Sequence, residues 1–305
     1  MLVSFIISTK NNAYTIKPVI RSICLTANQL LTCNAHTELI VVDGLSNDCT
    51  YEKACEEIEK CRNLFYDVKI LRDPGRSLPF SRKIGIEKSK GDIIILLDGD
   101  IILPRVFAQN LSTYLRNSYY WDAIEPLNIV FPNKDYSLVF NILLTCVVKR
   151  STRVTFPRIL KAELVRGKPY WGLLSRYIFE DILLREQLRF KGARTKFSKE
   201  LIVYKYDEPT LNAYWKKHYR YGKGLCKDLN RAAQAILLNE IILRRISYVD
   251  IFFPVLSLYT LVKFITLNSG FTKKDKLANS IKAFVLRHAI RLAMFLGDVK
   301  GCIQG

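Results

Sequence analysis

The sequence predicts an α/β fold, a mostly parallel central sheet flanked by helices, followed by a helical appendage toward the C-terminal end. Three observations predict it. Short, largely apolar runs at residues 2–8, 38–42, 67–71 and 93–97 alternate with longer segments of helical period. The clearest run, Ile93-Ile94-Ile95-Leu96-Leu97, is continuously apolar instead of alternating, which suits a strand buried on both faces. The runs end at Thr9, Asp43, Asp73 and Asp98, positions that right-handed β-α-β crossovers gather along one edge of a sheet.

Taken in order, Leu2–Ser8 is expected to open the chain as a strand. Pro18–Leu31 follows as a helix, with Val19, Ile20, Ile23 and Leu30 on or near one face. Glu38–Val42 reads as a short strand ending at Asp43-Gly44, Cys49–Leu64 as a second helix, and Asp67–Leu71 as a third strand. Ser81–Lys90 is the helix expected before the strand that ends at Asp98. Beyond Pro104 the pattern loosens. Ala123–Phe131 and Ile159–Val165 read as strands, Leu138–Val148 as a helix, and Gly167–Gly172 as a loop of glycine, proline and aromatic residues. A further helix starts near Phe179-Glu180-Asp181, with Ile182, Leu183, Leu184 and Leu188 available for packing.

From about Glu208 the character changes to long, basic, apolar helices. Lys216, Arg220, Lys223 and Lys227 share one helical face, and Tyr214, His218, Tyr221 and Leu225 the opposite one. Ile251–Leu267 is a mostly apolar stretch of 17 residues interrupted by Pro254 and Lys263. A bilayer span takes about 20 residues and a central lysine costs roughly 3 kcal/mol, so an interfacial or re-entrant helix fits better than a full span. Val285, Ala289, Leu292, Ala293 and Leu296 form an apolar stripe opposite Arg287 and Arg291. That pattern suits a helix lying in a membrane surface, or one packing its apolar face on the protein.

With 305 residues, 49% hydrophobic, the chain can bury a sizeable core. Its net charge of +19 asks for an anionic neighbour: nucleic acid, acidic lipid or a phosphorylated substrate. Met1–Lys10 lacks the basic start and long apolar run of a signal peptide, so the body of the protein is expected in the cytosol. The eight cysteines include no zinc-like spacing. They read as free buried thiols, with disulfides as the alternative in a hyperthermophile.

The segment Gly91–Asp100 concentrates the chemistry. Its strand ends in two carboxylates one residue apart, Asp98 and Asp100, where open α/β sheets bind ligands. Such a pair can hold a hard divalent cation, Mg²⁺ or Mn²⁺, and the cation a diphosphate. The competing reading is an Asp-Gly hairpin turn, against which both flanks are continuously apolar.

Several segments together resemble the inverting family-2 glycosyltransferases with the GT-A fold. Val3–Asn11 is similar to the family's first strand and the loop that meets the nucleobase. Val41–Thr50 resembles its second strand, Pro79–Ile86 with Gly91–Asp100 the helix and strand leading into the metal site, and Phe179-Glu180-Asp181 with Leu184, Arg189 and Gly192 the acceptor-site motif that holds the general base. The resemblance implies a Rossmann-like GT-A domain over 1–207, its nucleotide-sugar half about 1–103 and its acceptor half about 104–207. Residues 208–305 would then form a basic, amphipathic membrane-association region. It further implies Asp181 as the base, and Thr9, Asn11, Asp43, Arg82, Asp98 and Arg220 on the donor. Asp98 and Asp100 would serve as metal ligands, and Trp171, Gly172 and Glu180 would lie on the acceptor side. The pattern departs at Lys83, where the family usually has Asn, and at Val203-Tyr204-Lys205-Tyr206, which lacks the family's usual His.

Each residue also has a plainer reading. Asp98 could touch the ribose while Asp100 alone carries the metal. Asp43 could be a turn residue, Glu180 and Asp181 helix-end caps, and Arg220 part of a solvated face. Tyr170 and Trp171 could stack on an acceptor or close the core. The function implied is transfer of a sugar from a UDP- or GDP-linked donor to a lipid-linked phosphate or glycan, at the cytoplasmic face of an anionic membrane. A soluble or protein-linked glycan is the alternative acceptor. Nucleic-acid binding is the remote alternative: no zinc-finger spacing, RNA-recognition aromatic motif or basic arm supports it, and no nucleic-acid partner is expected.

Overall fold

The computed structural model describes residues 1–131, 156–174, 179–206, 211–227, 248, 291–300 and 302–303. The chain divides into two compact units, Met1–Ile129 with Thr155–Tyr206, and Val130–Val154 with Asp207–Gly305.

In the first unit β1 (Leu2–Thr9), β2 (His36–Asp43), β3 (Asp67–Arg72) and β4 (Ile93–Asp98) pair in parallel, with β1 between β2 and β4. The sheet continues through β7 (Ile159–Lys161), β6 (Ala123–Phe131), β8 (Thr195–Tyr206) and the two-residue β5 (Ile101–Ile102), in the order β3-β2-β1-β4-β7-β6-β8-β5. β7 runs antiparallel to β4, so the sheet is parallel on one side of β4 and mixed on the other. Alternation along β1 explains the burial on both faces. Val3, Phe5 and Ile7 join one core with α1 (Ile16–Leu31), α2 (Thr50–Glu59) and α4 (Phe107–Arg116). Ile6 faces the other way, with Ile94 and Leu96, toward α3 (Leu78–Lys88) and α5 (Glu180–Phe190).

Gly85 lets α3 lie close on the sheet, because a Cβ there would meet Ile6 Cγ2 at 2.3 Å. At the amino end of the strands, the buried Glu38 accepts hydrogen bonds from Ser4 Oγ at 2.6 Å and Gly91 N at 2.9 Å, tying β1, β2 and the entry to β4 together.

Several elements differ from expectation. α3 starts at Leu78, because the Ser77 side chain accepts from Phe80 N at 3.3 Å and Pro79 suits a helical first turn. The second helix stops at Glu59 and resumes only as a 3-10 turn over Arg62–Leu64. Between them Cys61 bonds Cys24 of α1, so these two cysteines are bridged and not free thiols; Cys33, Cys49 and Cys55 are free. The strand predicted over 159–165 ends at Lys161, where Ala162 N donates to Asp92 O at 2.9 Å and a 3-10 turn begins.

In the second unit α6 spans Leu211–Lys227. Lys216 and Arg220 are exposed on it, His218 and Tyr221 are half-buried, and their rings meet edge to face at 5.7 Å. Along the helical residues 291–300, Ala293 is buried while Leu292, Leu296 and Val299 are exposed. The expected helix Leu138–Val148 and the stretch Ile251–Leu267 lie outside the described residues. Among the described residues no helix is long and apolar enough to cross a membrane.

Candidate functional site

Strand order reverses at β1, whose neighbours β2 and β4 lead away in opposite directions, and open α/β sheets bind ligands at such a switch point, outside the carboxyl ends of the strands. Thr9, Asp43 and Asp98 end β1, β2 and β4 there. The loops are stitched to one another. Gly44 N donates to Thr9 O at 2.8 Å, Gly99 N to Ser8 O at 3.1 Å, and Thr15 Oγ1 to Gly99 O at 2.6 Å. Gly99 has no room for a side chain, since a Cβ would meet Thr9 Oγ1 at 2.4 Å. The Asp98-Gly99-Asp100 turn is thereby pressed onto the end of β1.

Left-handed backbone occurs on two of these loops and before α5. Asn11 follows β1 at φ 54°, Leu45 follows β2 at φ 54°, and Phe179 precedes α5 at φ 60°. Non-glycine residues pay roughly 1–3 kcal/mol for such conformations, which persist where the surroundings enforce them.

Asp98 is the most heavily paired carboxylate of the site. Arg82 of α3 forms an ion pair with its Oδ1, Arg158 Nη2 donates to Oδ2 at 3.3 Å, and Lys205 Nζ stands 4.0 Å from Oδ2. Burial opposes the Asp98 charge, but Arg82, then Arg158 and Lys205, outweigh it and hold the carboxyl well below the usual range. Phe156 carries both guanidiniums, with Arg82 Cζ 4.5 Å and Arg158 Cζ 5.0 Å from its ring centre.

The other fork of Arg82 reaches Glu180 Oε2 at 2.6 Å, and Tyr170 donates its hydroxyl to Glu180 Oε1 at 2.7 Å. Arg82 is only 4% exposed. Burial opposes its charge, yet Asp98 and Glu180 hold the guanidinium pKa well above its ordinary value. Burial raises the Glu180 pKa against the pull of Arg82, and burial with Glu180 alongside raises Tyr170 far more. The direct contacts of Arg82 are therefore with carboxylates. Glu180, expected on the acceptor side, is buried beneath it, and Tyr170 closes the core.

Successive helical residues point about 100° apart, so α5 turns Glu180 inward and leaves Asp181 exposed. Asp181 thus opens to solvent one residue from the carboxylate that Arg82 ties to Asp98. Gly172 is buried in the 3-10 turn Trp171–Leu174, which also holds the backbone of Trp171.

At the end of β2, Asp43 is 1% exposed and its carboxylate accepts from Ser46 N at 3.0 Å and Ser46 Oγ at 2.5 Å, which is turn-forming geometry. Asn11 N donates to Ser46 Oγ at 2.9 Å, and Asn11 Oδ1 accepts from Asn47 N at 3.0 Å. Thr9, 3% exposed, donates to Asn12 Oδ1 at 3.0 Å. These residues bind two loops into one wall. Lys83, in place of the family's Asn, donates to Lys168 O at 2.7 Å and so anchors the Gly167–Gly172 loop to α3. Arg220 lies exposed on α6, in the second unit.

Asp100 differs from its neighbour. Lys205 Nζ is 3.4 Å from its Oδ2, while its Oδ1 is buried with no hydrogen-bond partner. A buried, unsatisfied carboxylate oxygen is costly and suits an oxygen-ligated cation, so Asp100 fits a divalent ion. Asp98 has both oxygens engaged by guanidiniums. No cluster of three or more His, Cys, Asp or Glu ligands occurs among the described residues.

Sequence reasoning missed Arg158 and Lys205. The pairing of Ile95 with Ile159 brings the first beside β4, and the pairing of Ile101 with Lys205 brings the second beside Asp100. The one available signal was the lysine standing in the last strand of the domain where the family has a His nearby.

Residues 4–124 match the profile of glycosyl transferase family 2. Among solved structures, the mannosyltransferase PcManGT from Pyrobaculum calidifontis, in complex with GDP-Man and Mn²⁺, aligns with a TM-score of 0.58 at 14% identity, over 98% of this chain and 86% of that one. S. aureus TarS 1-349, in complex with UDP-GlcNAc, aligns with a TM-score of 0.51 at 12% identity, over 99% of this chain and 89% of that one. At these identities the likeness is one of fold. No curated protein matches the sequence. Residues 4–124, which carry the match to glycosyl transferase family 2, thus form the parallel side of the sheet and its carboxyl-end loops, and the chain has the GT-A fold.

Proposed function

We propose that the chain transfers a sugar from a nucleoside-diphosphate donor to an acceptor hydroxyl or phosphate oxygen by direct displacement, with inversion at the anomeric carbon. The observation that carries this reading is the orphaned, buried Asp100 Oδ1 beside a fully paired Asp98 at the carboxyl end of β4, within the segment matching the family. PcManGT and TarS bind GDP-Man and UDP-GlcNAc respectively, which supports a nucleotide-sugar donor.

The acceptor oxygen attacks the anomeric carbon on the face opposite the diphosphate, and the nucleoside diphosphate leaves with the electron pair of the broken bond. Asp181, exposed at the start of α5, takes the proton of an acceptor hydroxyl. A divalent ion held by Asp100 would neutralise charge on the leaving diphosphate. The wall built from Thr9, Asn11, Asp43 and Ser46 receives the nucleoside. Arg82 and Arg158 keep Asp98 ionised and fixed, so the turn carrying Asp100 cannot drift. The acceptor is a lipid-linked phosphate or glycan, and the basic face of α6 with the exposed apolar residues near the C-terminal end holds the enzyme on an anionic bilayer.

Nucleotide release from UDP- and GDP-linked sugars in the presence of membrane extract tests the reading. Asp181→Asn should lower kcat by about 10²–10⁴-fold. Asp100→Ala should abolish the response to added Mn²⁺, and EDTA should mimic it. Full activity in both variants ends the mechanism.

A further inference from the structure

The cation census of this site is larger than one donor-binding metal requires. Asp98 is already neutralised by Arg82 and Arg158, yet a further cation, Lys205, lies 3.4 Å from Asp100 and 4.0 Å from Asp98. Its backbone is fixed beside Asp100. Ile101 pairs with Lys205 and Ile102 with Tyr204 across β5 and β8, and Tyr206 N donates to Asp100 O at 2.9 Å. The β8 backbone is therefore bonded to the very residue whose carboxylate the ammonium meets. The Lys205 side chain is 31% exposed, so its head has room to swing.

An ammonium beside a carboxylate that keeps one oxygen unpaired has two physical consequences. It offsets the negative charge that would attract a divalent ion, and it repels the ion directly. Once a diphosphate arrives, the same ammonium gains a more highly charged partner, and lysine binds phosphate well as a mobile point charge.

Resting on the donor reading above, we propose that Lys205 is a built-in second cation of the donor site. While the site is free, its ammonium holds Asp100 and weakens capture of a bare divalent ion; when the nucleotide binds, it turns to the diphosphate. Ion and nucleotide therefore bind with strong mutual dependence, and part of the diphosphate charge is met by protein without any ion.

Mn²⁺ titration followed by electron paramagnetic resonance, and calorimetric titration with UDP and GDP in EDTA, test this on the full chain with wild type, Lys205→Met and Lys205→Arg. In the absence of nucleotide, Lys205→Met should bind Mn²⁺ about tenfold more tightly than wild type, and Lys205→Arg about as wild type does. In EDTA, Lys205→Met should bind the preferred nucleotide about tenfold more weakly, with Lys205→Arg largely restoring it. Unchanged or weaker Mn²⁺ binding in Lys205→Met overturns the proposal, as does metal-free nucleotide affinity equal to wild type. Thermal unfolding of each variant within a few degrees of wild type certifies that the fold is intact, and a collapsed Lys205→Met passes the decision to Lys205→Gln. If wild type binds neither UDP nor GDP, with or without Mn²⁺, the donor reading itself fails. That result differs from one in which wild type binds nucleotide and position 205 is indifferent.

Discussion

Removing the guanidinium at position 82 would leave the buried Glu180 without the cation that pairs it, while Asp98 would keep Arg158 and Lys205. Breaking a buried pair by deleting one partner costs about 3–5 kcal/mol, because the remaining charge is stranded. Arg82→Met should therefore lower stability by that amount in urea melts, and adding Glu180→Gln should recover part of it. Asp122 makes the complementary case near the surface. It accepts from Arg194 Nε at 2.9 Å, Arg194 N at 2.8 Å and Lys161 Nζ at 2.9 Å. The Arg194 bond leads, burial opposes, and the Asp122 pKa ends well below the usual carboxylate range. A carboxyl depressed by folding stabilises the native state fully above its unfolded value, about 4, and loses that contribution as pH falls through the lower folded value. Asp122→Asn should cost about 1 kcal/mol at pH 7, discounted for the exposure of Arg194, and the gap to wild type should close below pH 4. A gap that persists unchanged into acid would mean the effect is not electrostatic.

Among the elements, α3 is the one through which fold and site communicate. It carries Arg82 into the carboxylates, Lys83 to the Gly167–Gly172 loop, and Gly85 against β1. A methyl at Gly85 would have to displace Ile6, whose Cγ2 lies 2.3 Å from the Cβ position and which sits on a strand packed on both faces. Overpacking of this kind costs about 1–3 kcal/mol. Gly85→Ala should accordingly lower Tm by several degrees, and because the helix must lift, it should also weaken nucleotide binding. A lowered Tm with untouched binding would show that α3 shifts without moving Arg82. The elements legible in the sequence were those whose own residues specify them. β4 announces itself by five apolar residues between Asp92 and Asp98, and Ala123–Phe131 emerges with its expected bounds. What stayed hidden was set by partners distant in sequence. Arg158 and Lys205 reach the site through antiparallel pairings, and the Cys24–Cys61 bridge spans a separation of 37 residues. The burial of Glu180 stayed hidden too, because neighbouring helical positions look alike in sequence and only packing decides which of them turns inward.

The whole molecule carries +19, and little of that excess is neutralised within the site, where Arg82, Arg158 and Lys205 face Asp98, Asp100 and Glu180. The surplus must act elsewhere. Near the C-terminal end, Leu292, Leu296, Val299 and Ile303 are 39%, 43%, 42% and 80% exposed, at spacings of four, three and four that put them on one helical face. Apolar side chains standing together in water, on a basic chain, are the pattern of a helix that lies in the headgroup region of an anionic bilayer. Each Lys or Arg near such a surface contributes about 1 kcal/mol, a term screened by salt, whereas burial of apolar side chains is not. The two contributions can be separated. Flotation with vesicles of phosphatidylglycerol and phosphatidylcholine should capture the protein, and pure phosphatidylcholine should capture far less. Raising salt to about 0.5 M, where the Debye length shrinks to a few ångström, should weaken capture without abolishing it. Changing Leu292, Leu296, Val299 and Ile303 to Ser should remove the part that survives salt. Capture that is insensitive to lipid charge, or that the fourfold variant retains at high salt, would overturn the reading of this face as a membrane contact.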